Sequence, residues 1–169
     1  MGLNSSRLLI AQGLQLLLAG VINPATSQPL FALAKLGAIF QPSGLASWIE
    51  VVDPQGKSQP AGSGGNAIGW RIDDTITFKL TSGWPYESDS TAAMVAMFTA
   101  QDVLLPLLHS HYQIPSPLNP SQAIASGYSL REDPTDKSLP VRYPDGHVYL
   151  CWQVFAVVKQ QYSVLIVNP

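Results

Sequence analysis

An α+β fold, with an antiparallel or mixed β-sheet and two main helices packed on one face, follows from three features of the sequence. The stretch Gly69–Leu80, GWRIDDTITFKL, places Trp70, Ile72, Ile76, Phe78 and Leu80 on one parity and Arg71, Asp73, Thr75, Thr77 and Lys79 on the other. This is the period of a strand with one buried and one wet face. The stretch His147–Lys159, HVYLCWQVFAVVK, repeats the pattern with Val148, Leu150, Trp152, Val154, Ala156 and Val158 on one parity. Two segments, 6–21 and 90–111, carry apolar residues at helical spacing. Long strands with a single apolar face need a cover, and helices layered on that face supply one.

The 169 residues suit one domain, spanning 1–169, with enough chain for a real core. Charged residues make up only 12% of the chain, about half the usual share, so the surface must rely on Ser, Thr, Gln, Asn, Gly and Pro. A surface this poor in charge suits a protein partly covered by a partner. The net charge of −2 offers no general attraction to phosphate backbones, which argues against nucleic-acid binding as the main role, and no specific nucleic acid is expected as a partner. The single cysteine, Cys151, excludes an internal disulfide framework.

Ser5 or Ser6 can cap the first helix, whose apolar face holds Leu9, Gly13, Leu16, Leu17 and Val21, and Asn23-Pro24 ends it. The same segment has the outline of a signal peptide, with Arg7, an apolar run and Ala25-Thr26-Ser27, but Gln12 and Gln15 interrupt the run. It is too short and too interrupted to span a membrane. Leu30–Lys35 and Trp48–Val52 are short strand candidates, punctuated by Gly37, Pro42 and Gly44. Long polar loops are expected at about 55–67 and 133–146. Thr81–Glu87 reads as a loop carrying Trp84 and Tyr86, after which Ser88, Asp89 or Ser90 caps the second helix. Pro106 is expected to kink or split that helix. Ile114–Ala123 reads as an extended, proline-bearing connector, Tyr128–Glu132 as a strand, and Tyr162–Val167 as an edge strand or a docking tail.

No catalytic motif accompanies these elements. The sequence has no G-x-S-x-G, H-E-x-x-H, C-x-x-C or dinucleotide fingerprint, and Gly62-Ser63-Gly64-Gly65 lacks the ending of a phosphate loop. His109 and His111 diverge by about 200° on a helix and have no acidic or cysteine neighbour to complete a metal site. Cys151 has no charged neighbour in sequence to depress its pKa, so it reads as a packing residue. Asp74 breaks the alternation, marking a bulge, a position past the core edge, or a buried carboxylate. The expectation is a non-enzyme without cofactor or metal. Surface contacts fall on Arg71, Asp73 and Lys79 of the wet strand face, and on Trp84, Arg131 and Arg142.

The order of elements resembles that of tail terminator and tail-completion (neck) proteins of long-tailed phages. The matching parts are the helix SSRLLIAQGLQLLLAGV, the strand GWRIDDTITFKL followed by the helix STAAMVAMFTAQDVLLPLL, and the late pair GYSLRED and GHVYLCWQVFAVV. The resemblance is one of pattern and includes no diagnostic motif. It implies a structural virion protein, assembled in the host cytoplasm, that forms a ring, commonly a hexamer, at the tail–neck junction. Its partners would be copies of itself, tail-tube proteins and neck or connector proteins, with no membrane and no catalysis. The alternatives are a small partner- or ligand-binding α+β module, in which Trp48, Trp70, Trp84 and Trp152 line a pocket, and an enzyme with a spatially assembled site.

Overall fold

The computed structural model describes the backbone of residues 6–60, 69–110, 113–126, 128–132 and 140–165, and the side chains of 7–52, 74–109, 113–122 and 140–159. The chain runs α1 (Ser6–Ala19), β1 (Leu33–Leu36), β2 (Trp48–Pro60), β3 (Gly69–Pro85), α2 (Ser90–Ser110), β4 (Gln113–Pro115), β5 (Ala123–Ser126), β6 (Tyr128–Glu132), β7 (Pro140–Arg142) and β8 (Val148–Leu165). The main sheet has the order β1-β2-β3-β8-β6, with β7 also on β8, while β4 and β5 form a separate pair. β1 lies parallel to β2 and every other pairing is antiparallel, so the sheet is mixed.

The two long strands carry the fold. β3 and β8 pair without a register break from Gly69↔Leu165 to Pro85↔Tyr149. An unbroken register keeps Ile76, Phe78 and Leu80 on the same face as Val158, Ala156 and Val154, and all six are buried. α1 meets this face through Ile10, Leu14 and Leu18, and α2 through Ala93, Met97, Ala100, Leu104 and Leu108. Both helices therefore cover one face of the sheet, as the alternation predicts. Trp70 and Ile72 hold core-face register positions, but their side chains lie outside the described residues.

Asp89 caps α2, its Oδ1 accepting the Ala92 amide at 2.9 Å. The helix runs through Pro106 without splitting, and that proline is exposed. By length and composition α2 is long and apolar enough to cross a membrane; here it lies on the sheet. α1 ends where the Gly20 amide turns back to the carbonyls of Leu16 and Leu17, ahead of Pro24.

Several boundaries differ from the sequence reading. Gln55–Pro60, expected in a loop, is strand and pairs with Ile72–Thr77; residues 61–67 of that loop are outside the described set. β2 is the outer strand at this point, where Pro54 is tolerated beside a bulge between Val52 and Gln55. β3 continues through Thr81–Pro85, and β8 absorbs the expected separate strand at Tyr162. The second loop contains β7, and its residues 133–139 are not described.

Candidate functional site

The core-face anomaly, Asp74, is neither a bulge nor a residue beyond the core. It pairs in register with Ser58 and Gln160, and only 2% of it is exposed. Arg7 of α1 donates to both its oxygens, from Nε to Oδ2 at 3.2 Å and from Nη2 to Oδ1 at 3.0 Å. A planar guanidinium satisfies a carboxylate in this two-pronged way, and the pair ties the start of α1 to the sheet. Sequence reasoning missed the link because its partners stand 67 positions apart.

At the other end of the sheet, part of the back face is closed. Trp48, fully buried, packs edge-on against Tyr149 at 4.9 Å and Tyr143 at 5.6 Å, with Ile39 and Cys151 beside them. Glu50, also on this face, accepts the Ile39 amide at 2.7 Å and so pins the covering segment down. Burial pushes the Cys151 thiol up to about 11 and the Tyr149 phenol up to about 12, the latter helped by its bond to Asp145. Desolvation pushes Asp145 upward, but the His147 amide and the Tyr149 hydroxyl outweigh it and hold the carboxyl below its usual range. Cys151 is buried in this cluster and packs there, as its sequence context suggests.

Beyond that cluster the described back-face side chains Thr75, Thr77, Lys79, Phe155 and Val157 are half-buried and Lys159 is exposed, and the face carries most of the anticipated contact residues. Lys79 stands on it between Val52 and Phe155, and Arg131 lies across from Phe155 on β6. Arg71 and Asp73 hold back-face register positions farther along β3; their side chains and that of Arg131 are outside the described residues. The register adds three cations that the sequence did not single out: Lys35 beside Glu50, and Lys57, whose side chain is also outside the described residues, and Lys159 on either side of Thr75. Parity within each strand was visible in the sequence, but joining the strands required the register.

The two other anticipated residues lie elsewhere. Trp84 is a core residue, 4% exposed and packed against Phe31, because β3 runs through it in core-face register. Arg142 serves the turn into β8, donating to the Gly146 carbonyl at 2.6 Å and standing 4.0 Å from Glu87. His109 is exposed at the end of α2, and His111 is outside the described residues. Among the described residues, no three His, Cys, Asp or Glu side chains stand close enough to share a metal.

Three further surfaces are open. β1 covers β2 only as far as Val51, so among the described residues β2 has no outer neighbour from Val52 to Pro60. A cleft of about 760 Å³ sits at the end of β1, lined by Arg7 and Leu8 on one side of β2 and by Glu50, Lys79 and Gln153 on the other. The outer side of α2 exposes Met94, Val95 and Phe98, which are 45%, 60% and 51% accessible. Residues at this spacing share one helical face, so they form a single apolar stripe.

No family model and no curated protein sequence matches the chain.

Proposed function

We propose that this chain is a structural protein that assembles with copies of itself into a ring at a phage tail–neck junction, and works by surface contact. The observation that carries the reading is the apolar stripe Met94–Val95–Phe98, 45–60% exposed on a helix whose other side is core. Large apolar side chains grouped on an otherwise polar surface mark a contact site. A closed ring needs two different patches per subunit, one meeting the other on the next copy. The outer edge of β2 from Val52 to Pro60, which has no outer strand among the described residues, offers a second patch. The order of elements, which resembles that of tail terminators, supplies the particle in which such a ring would sit. Its partners in this reading are its own copies, the tail tube and the neck proteins.

The test is mass in solution, alone and with purified tail-tube protein, for the natural chain and for Phe98→Asp. The reading expects a ring on the tube that the substitution abolishes. Identical assembly by the variant would remove the stripe from the interface.

The cleft at the end of β1 favours a second reading, a module that binds a small ligand carrying both charged and apolar groups. A ligand screen by thermal shift tests it, with Lys79→Ala as the variant that should lose any stabilisation.

A further inference from the structure

The net charge of −2 averages over a molecule whose charges are sorted by face. Lys35, Lys57, Arg71, Lys79, Arg131 and Lys159 all occupy back-face register positions of the main sheet, six of the nine Lys and Arg residues. The paired back-face positions hold two carboxylates, Glu50 and Asp73, and Glu50 is buried and bonded to the Ile39 amide. The described acids Glu87, Asp89 and Asp145 gather instead near the opposite end of β3 and the start of β8. Lys79 and Lys159 make no ion pair among the described residues, and Lys35 reaches only the Ala38 carbonyl.

From this we infer that the back face of the sheet binds the phosphate backbone of duplex DNA without reading its sequence. Charge complementarity is the first argument. Arg71 and Lys79 are eight residues apart on one strand, roughly 27 Å, and two pairs of cations flank β3 and β8 along the way. Lys57 and Lys159 stand on either side of Thr75, and Lys79 and Arg131 on either side of Phe155, each pair about 10 Å apart across two strand spacings. The positions between them include Thr77, Gln55, Gln59, Ser129, Gln161 and Ser163, side-chain types that contact phosphate and sugar oxygens, with Val157 and Asp73 among them.

Residue type is the second argument. Four of the six cations are lysines, which are depleted from protein–protein interfaces, so an acidic protein surface is the poorer match. Single-stranded nucleic acid needs a series of aromatic platforms, and this stretch of the face offers one aromatic position, Phe155. Lys and Arg clustered on one face form the electrostatic footprint of backbone binding, and here the clustering, not the net charge of −2, supplies it. The inference does not depend on the ring, since the face belongs to each subunit.

The experiment is fluorescence anisotropy of the full chain with two 30-base-pair duplexes of unrelated sequence, from 50 to 200 mM salt. Equal affinity for both duplexes is expected, falling roughly 60- to 1,000-fold over that range as three to five counterions are released. Lys79→Gln and Lys159→Gln should each weaken both duplexes alike and make the salt slope shallower by about 1. Arg142→Gln makes the same change in net charge away from the face and should leave the slope as it was. The inference fails if no binding is seen at 50 mM salt or if all three variants shift the slope equally. Tighter binding to anionic phospholipid vesicles than to either duplex would reassign the face to a lipid surface and overturn it as well.

Discussion

A methyl group added at Gly83 would meet the ring of Trp48. The Cβ of an alanine there would lie 2.3 Å from Trp48 Cζ2, 2.4 Å from Cη2 and 2.8 Å from Cε2. Ordinary carbon contacts begin about 3.5 Å apart, so the indole would have to move by more than 1 Å. It has nowhere to go, since Trp48 is fully buried between Tyr143 and Tyr149. Overpacking of this kind costs about 1–3 kcal/mol if the cluster yields, and expulsion of the ring approaches the 3–5 kcal/mol of a lost buried tryptophan. Gly83→Ala should therefore lower stability by about 2–4 kcal/mol, read as the urea midpoint by circular dichroism. In a Trp48→Leu background the same substitution should cost far less, because the obstructing ring is gone. A Gly83→Ala protein within about 0.5 kcal/mol of the natural chain would refute the packing described for the back face.

Three other outcomes follow from the same geometry. Trp48 Nε1 is buried without a hydrogen-bond partner among the described residues, so Trp48→Phe, which removes that donor, should cost much less than Trp48→Ala in the same denaturation assay. Arg7→Ala strips a buried carboxylate of its two-pronged partner and should lower stability by about 1–3 kcal/mol, with Asp74→Asn in the same background recovering part of it; no recovery would mean the pair is not what holds α1. The buried Cys151 thiol has its pKa raised above its ordinary 9.0 to about 11, so the unfolded chain ionises first, and stability, full below pH 9, should fall as pH rises toward 11 by about 2–3 kcal/mol. A Cys151→Ala variant should show a shallower decline over that window, and an unchanged slope would remove the thiol as its source.

The sequence made the long strands and both helices legible because their apolar residues face one core. Ile76, Phe78 and Leu80 could alternate visibly only because the helices cover one side of β3. Gln55–Pro60, QGKSQP, has no apolar residue larger than proline on either face, so its pairing with β3 left no periodic trace. The end of β3 was hidden for a similar reason: Ser82 and Gly83 stand where large side chains would have marked a strand, Gly83 because Trp48 fills the space. Asp74 could be flagged as anomalous, but its meaning lay in Arg7 at the far end of the sequence. The basic face was legible only in fragments. Arg71 and Lys79 share one parity in one strand, while Lys35, Lys57, Arg131 and Lys159 join them through register alone.

Whether the chain closes or joins a phage-like tail, as proposed above, is decided in particles. The protein should be located in purified virions or tails by labelling and image averaging, and its gene then deleted. Density for a ring is expected at the tail–neck junction, with headless or unterminated tails in the absence of the protein. Normal, infectious and correctly terminated particles that lack it would overturn the proposed role.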